Sequence, residues 1–238
     1  MYHSILEQSD KKYIISTENF EKDLIYLVEN GYSSVTCKDL IKYTDGTDTL
    51  PAKPVMITFD DGMLNNITFA LPLLEKYGFS AVFSIVGSYA DEYSENNVKN
   101  PKYSYINWQD LSSLCENPHI ELANHSYNLH SISNRYGPQR QKNESFSEYH
   151  NVFWTDTKKM QQEFMLHCRF SPVIYTYPFG GFCSDSEKIL QKNGFLVTFS
   201  CVEGINKITN NPKCLYLLKR YNRDGRLSTA EFFKKIGI

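Results

Sequence analysis

The stretch VMITFDDGMLNN, Val55–Asn66, decides how this chain is read. Val55 to Phe59 is an apolar and β-branched run with an aromatic at its end, the pattern of a buried strand. It stops on two adjacent carboxylates, Asp60 and Asp61, followed by Gly62. An unpaired carboxylate at the end of a buried strand is costly, and two side by side also repel each other. Something cationic or proton-sharing is therefore expected opposite them.

Working outward, strand and helix patterns alternate along the chain. MYHSIL is a short apolar run, after which Thr17 can cap a helix with Phe20, Leu24, Leu27 and Val28 on one face, stopped by Gly31. SSVTC and VMITF read as strands, NNITFALPLLEKYG as a helix around Pro72 ended by Gly78, and FSAVFSIVG as a strand. Asn107 caps WQDLSSLCEN, HIELA is a strand, and DTKKMQQEFMLHCRF is a helix with Met160, Phe164 and Cys168 on one face. VIYTYPFGG, the helix DSEKILQKNG, the strands FLVTFS and LYLLKRY and the helix STAEFFKKI complete the chain. This alternation predicts an α/β fold with a parallel sheet, either a barrel or an open doubly wound sheet. With 238 residues, 41% of them hydrophobic, and no linker, a single domain over residues 1–238 is expected. Two polar and aromatic insertions, Ser88–Ile106 and Ser131–Thr155, each follow a strand and are expected as long loops walling a groove on the active face.

A net charge of −2 carries no basic excess, which argues against nucleic acid or an anionic membrane as the main partner. Six scattered cysteines show no C-x-x-C pair and read as reduced core thiols. No apolar run approaches the ~18 residues of a membrane span, and the N-terminus lacks signal-peptide features. As given, the chain reads as soluble and unexported; an apolar strand starting at Met1 also fits a chain trimmed of a leader, and so an extracellular or cell-envelope protein. The oligomeric state is left open.

Three strand ends are chemically loaded. Asp60 and Asp61 end one, ELANHSYNLHS ends another and supplies His125 and His130, and Tyr177, Pro178, Phe179 and Gly180 end a third. Two imidazoles and a carboxylate form a set suited to zinc or another divalent first-row ion. One aspartate would then bind the ion while its neighbour stays free as a base. Taken alone, an Asp-Asp pair also fits a phospho-acceptor pocket or a turn, and the histidines also fit ordinary loop residues. A phospho-acceptor pocket, however, has no use for two nearby histidines. His119, His150 and His167 fall to a turn, a loop and a helix.

TFDDG at Thr58–Gly62, HSYNLH at His125–His130 and YPFG at Tyr177–Gly180 resemble three successive motifs of the polysaccharide deacetylases, carbohydrate esterase family four. The resemblance implies a distorted (β/α) barrel of about seven parallel strands. It also implies a divalent metal, most often zinc with nickel, cobalt, iron or manganese as alternatives, and removal of acetyl groups from N-acetylated glycans. By that match Asp60 is the base, Asp61, His125 and His130 are the metal ligands, and Ser126 braces the histidine loop. The backbone N–H of Phe179 is the expected oxyanion donor. Histidines spaced five apart resemble the branch acting on poly-N-acetylglucosamine. The family places an arginine where this chain has Thr176, and Arg220 in LLKRYN is the candidate replacement, with a surface or barrel-closing role as its alternative. No histidine follows His167, so the family's late histidine is missing. His3, in a YH opening like that of the same branch, takes its part as general acid, with a buried carbonyl-bound histidine as the alternative. Two other functions remain open on the residues alone: an amidase acting on a small acylated metabolite, and a non-catalytic sugar-binding protein.

Overall fold

The computed structural model describes residues 1–8 and 10–238. Strand β1 (Ser4–Leu6) pairs in parallel with β2 (Ile14–Ser16), which runs straight into helix α1 (Thr17–Glu29). The cap of α1 is Ser16, one residue before the expected Thr17; its hydroxyl accepts the N–H of Asn19 at 3.3 Å. Phe20, Leu24 and Leu27 are buried as the periodicity predicts, whereas Val28 faces solvent. β3 (Ser33–Ser34) is only two residues long, and the expected strand SSVTC gives way to helix α2 (Cys37–Thr44). The reason is local. Thr36 and Asp39 form a reciprocal capping box that satisfies the first turn and outweighs the β-branched residues before it.

β4 (Pro54–Val55) pairs with β3, and β5 (Ile57–Phe59) begins the main sheet. A π turn at Asn66–Ala70 leads into α3 (Leu71–Tyr77), ended by a left-handed Gly78 as expected. Then come β6 (Ala81–Ile85), α4 (Gly87–Asn96), α5 (Trp108–Leu114) and β7 (Ile120–Asn124). They are followed by α6 (Phe146–Cys168), β8 (Ile174–Thr176), α7 (Ser184–Lys192), β9 (Val197–Phe199) and α8 (Thr229–Ile236). Asn107 caps α5, its side chain accepting the N–H of Asp110 at 2.8 Å. The two expected loops are partly helical: α4 occupies about the first half of the first, and α6 starts inside the second, where Ser145 and Glu148 form a capping box.

The main sheet is all parallel, in the order β5-β6-β7-β8-β9. It curls, and its edges are brought together by irregular chain. Tyr2 bridges to Phe59 at the β5 edge, with Tyr2 N–H donating to Thr58 O at 2.7 Å and Asp60 N–H to Tyr2 O at 3.0 Å. Leu218 bridges to Phe199 at the β9 edge. The N–H of Arg223 then donates to Met1 O at 2.9 Å, linking the two flanks. The five regular strands fall short of the expected seven. LYLLKRY does not run as a strand because Leu217 sits in the left-handed region, φ 57, and breaks the extended backbone.

Helices α1, α3, α5 and α6 cover the sheet, and the main core lies between. Phe59 at the end of β5 is fully buried, stacked on Tyr2 at 5.3 Å and edge-on to Phe20 and Phe83. Burying each such ring contributes on the order of 1.5–3 kcal/mol. This aromatic cluster fixes the strand whose next residue is Asp60.

Candidate active site

The two carboxylates after β5 are turned into different surroundings. Asp61 takes a left-handed conformation, φ 74, tolerable for aspartate, and Gly62 follows at φ 72. A Cβ at Gly62 would stand 3.2 Å from Ile85 Cδ1, so the turn needs glycine for space as well as for φ.

Asp61 meets both histidines. Its Oδ1 lies 3.4 Å from His125 Nε2 and 3.0 Å from His130 Nε2, and the three ligand-type atoms all lie within 4.8 Å of one another. Each ring is oriented by its other nitrogen. His125 Nδ1 is 2.7 Å from Thr176 O, to which it donates, and His130 Nδ1 is 3.2 Å from the Tyr89 hydroxyl. With both Nδ1 atoms so engaged, both Nε2 atoms are turned toward Asp61. The two separations from Asp61 are close to the ~3.3 Å that ~2.0–2.1 Å bonds in a tetrahedral site require, so this set could hold a divalent ion. Burial opposes ionisation of Asp61, but hydrogen bonds and charge from the two histidines hold its carboxyl well below the usual range.

Asp60 is 2% exposed and faces Arg220, itself 6% exposed. Arg220 grips it with both ends of the guanidinium, NH1 to Oδ1 at 2.7 Å and NH2 to Oδ2 at 2.8 Å. NH1 also donates to Thr58 Oγ1 at 3.1 Å and Nε to Ser200 O at 3.0 Å. Burial pushes the Asp60 carboxyl up; Arg220, with smaller help from His125 and His3, more than offsets this, so the net displacement is downward. The cation expected opposite the paired carboxylates is therefore present, and it comes from a chain segment 160 residues away. Thr176, where the family places an arginine, instead bonds Ser84 through its hydroxyl at 2.7 Å and His125 through its carbonyl.

His3, Asp60, Asp61, His125, His130 and Phe179 line one open cleft of about 590 Å³, together with Lys12, Tyr13, Lys102, Tyr136, Glu203 and Asn222. Nδ1 of His3 is buried without a hydrogen-bond partner, and the ring packs edge-on to Tyr13 at 4.9 Å. Burial lowers the His3 pKa, against the charges of Asp60 and Asp61, which raise it. Phe179 is held at φ 56, a conformation costing a bulky residue about 1–3 kcal/mol. Its ring packs on His130 at 4.5 Å, and its carbonyl accepts from the Tyr136 hydroxyl at 3.1 Å. Ser126 departs from expectation: its hydroxyl has no partner, and its N–H donates to Asn124 Oδ1 at 2.9 Å. Tyr89, which orients His130, was not singled out from sequence. Its signal is its place, two residues inside α4 just past the end of β6, where active-face residues collect.

A curled parallel sheet thus presents Asp, His and His beyond its strand ends, beside a second buried carboxylate in one open cleft, a set that could hold a metal ion. The sequence profile of the polysaccharide deacetylase family matches residues 47–198, and the chain belongs to that family. It is 24% identical over 220 residues to a poly-beta-1,6-N-acetyl-D-glucosamine N-deacetylase of Escherichia coli K12, covering 84% of this chain and 33% of that protein. It is 23% identical over 207 residues to an enzyme of the same name from Staphylococcus aureus N315, covering 87% and 67%. The chain thus spans about a third of the E. coli relative. Among solved structures, a de-N-acetylase from Aggregatibacter actinomycetemcomitans superposes with a TM-score of 0.81 at 25% identity, covering 98% of this chain and 97% of that one. The Streptococcus pyogenes deacetylase PplD, in complex with acetate, superposes with a TM-score of 0.78 at 17% identity, covering 99% and 96%. Among the described residues, no helix is long and apolar enough to cross a membrane.

Proposed function

We propose that this chain is a single metal-dependent catalytic domain that hydrolyses N-acetyl groups from an N-acetylglucosamine-containing polysaccharide and releases acetate. The observation that carries the reading is the pairing of a buried, arginine-gripped Asp60 with the convergent Asp61, His125 and His130 in one cleft. A protein that only bound sugar would need no such carboxylate. On this reading the segments around Tyr2 and Leu218 complete a seven-stave barrel, and zinc is the ion held by Asp61 Oδ1 and the two Nε2 atoms.

When bound, such an ion acidifies water and polarises the acetyl carbonyl. Asp60, kept ionised by Arg220, takes the proton of the attacking water as its oxygen adds to the carbonyl carbon. The backbone N–H of Phe179 donates to the oxyanion that forms. The C–N bond then breaks, and His3 delivers a proton to the departing sugar nitrogen, giving acetate and a free amine. Burial makes His3 a readier donor once protonated, while Asp60 and Asp61 favour its taking up the proton. Base catalysis of this kind supplies ~10²–10⁴-fold, so oxyanion and ion contacts must supply the remainder of a typical enzymatic acceleration.

The test is acetate release from N-acetylglucosamine oligomers by the purified protein, with and without chelator. Release that stops with chelator and returns with zinc is expected. No release from any oligomer, or release that chelator leaves untouched, sinks the proposal; turnover of monomers as fast as oligomers would instead make the protein a small-molecule amidase.

A further inference from the structure

Between His125 and His130 lie four residues, Ser126, Tyr127, Asn128 and Leu129, and this linker has to turn two imidazoles onto one point. Its amides find side chains as acceptors. After Ser126, whose N–H goes to Asn124, the next two N–H groups both donate to one carboxylate: Tyr127 N to Asp156 Oδ1 at 2.8 Å and Asn128 N to Asp156 Oδ2 at 2.7 Å. The carbonyls of Ser126 and Tyr127 accept from Gly87 N at 3.1 Å and Ser88 N at 2.8 Å, at the start of α4. That approach is close: a Cβ on Gly87 would stand 2.6 Å from Tyr127 Cδ2 and 2.7 Å from Met160 Sδ. The Tyr127 hydroxyl donates to Asp91, which also takes the Trp108 indole N–H at 2.7 Å. Asp156 sits on α6, and Lys159 on the same helix lies 3.6 Å over the Tyr127 ring. Asp156 does not line the cleft.

We propose that Asp156 is a positioning residue of the metal centre: its carboxylate holds the peptide between the two histidines in the conformation that brings both Nε2 atoms to Asp61. This rests on Asp61, His125 and His130 being the ligand set. Two N–H donors require two acceptor oxygens. An asparagine in the same place offers one and sets its own NH₂ against the other N–H. The loop would then adopt a second arrangement in which His130 no longer faces Asp61.

Cobalt(II) titration of the full chain tests this, read by the visible spectrum and by competition with a chelator. Asp156→Asn and Asp156→Ala are expected to bind about 10–100-fold more weakly than wild type with altered cobalt bands. Activity of Asp156→Asn should recover as zinc is raised. Glu121→Gln is the comparator, because Glu121 likewise takes two backbone N–H groups, Cys37 at 2.7 Å and Lys38 at 3.2 Å, but at the far end of β7. Its cobalt affinity and bands should match wild type even where its melting temperature falls. Should Asp156→Ala fail to fold, the isosteric Asp156→Asn carries the test. Wild-type affinity and bands in Asp156→Asn overturn the assignment of Asp156 alone; a wild type that takes up no cobalt overturns the ligand set, and this inference with it.

Discussion

Two buried arginine–carboxylate pairs lie three residues apart in the sequence of their arginines, and the contrast between them separates structure from catalysis. Arg223 grips Asp23 with Nε to Oδ2 at 2.7 Å and NH2 to Oδ1 at 3.1 Å, and both side chains are completely buried. Asp23 is then saturated by the Tyr2 hydroxyl at 3.0 Å and Thr229 Oγ1 at 2.7 Å. Arg220 grips Asp60 end-on, through NH1 and NH2, yet Asp60 lines the cleft and takes no side-chain donor besides that arginine among the described residues. A carboxylate whose acceptor sites are all filled can only hold structure. One that is ionised, fixed in place and still has an unfilled lone pair at the lining of the cleft can take a proton.

The largest effect expected from breaking this contrast is at Asp60. Asp60→Asn should lower kcat by about 10²–10⁴-fold in the folded fraction, as for loss of a general base, while cobalt binding at Asp61, His125 and His130 survives. Asp23→Asn should do the reverse: a loss of about 3–5 kcal/mol of stability in denaturant, because it strands a buried guanidinium, with kcat of the folded protein little changed. Urea unfolding and acetate release on the same preparations check both. If Asp23→Asn lost kcat as heavily as Asp60→Asn, the contrast would be wrong.

Next in size is Arg220→Met. Burial alone raises the pKa of Asp60 and Arg220 is the largest influence lowering it, so removing the arginine reverses the sign. In wild type the folded pKa lies below the unfolded one. The pair's stabilisation is therefore present above the usual carboxylate range and lost only as pH falls through the depressed value. In Arg220→Met the carboxyl prefers its proton, so stability at this group falls as pH rises through the elevated value. The acidic limb of kcat/KM should move up by at least about one pH unit, a tenfold loss on that limb. An unmoved limb would show that Arg220 positions Asp60 without controlling its ionisation. Arg220→Lys should fall between, since it keeps the charge but loses the two-pronged grip.

What could be read from sequence divides along a physical line. Asp60, Asp61, His125 and His130 were legible because each sits in a short contiguous motif at a strand end, where hydrophobic pattern and charge change together. Arg220 was legible only as a candidate, because the bond that gives it meaning spans 160 residues and no local signal announces such a pair. The Asp23–Arg223 pair was not legible at all; aspartate in a helix reads as solvated until the fold packs it. Helices α2 and α4 were hidden by β-branched and aromatic residues, whose weak preferences yield to capping and tertiary packing. Arginine, rather than a late strand, also proved the informative feature of LLKRYN, since the left-handed Leu217 allows only one bridge there.

The smallest expected effect sharpens the contrast on the metal side. Tyr89 meets His130 edge-on, with ring centroids 5.7 Å apart, and its hydroxyl lies 3.2 Å from Nδ1 and 3.5 Å from the carbonyl of His130. Its ring stays supported by Tyr105 at 4.3 Å, so Tyr89→Phe removes only the hydroxyl's two contacts to His130 without opening the wall. His130 keeps Phe179 against its face, which limits how far the ring can swing. Zinc affinity should therefore fall by about tenfold, the low end for partners of metal-bound histidines, with kcat at saturating zinc nearly unchanged. A drop in kcat that zinc cannot restore would mean that the Tyr89 hydroxyl meets substrate rather than serving His130. The aromatic wall of α4 would then belong to sugar recognition.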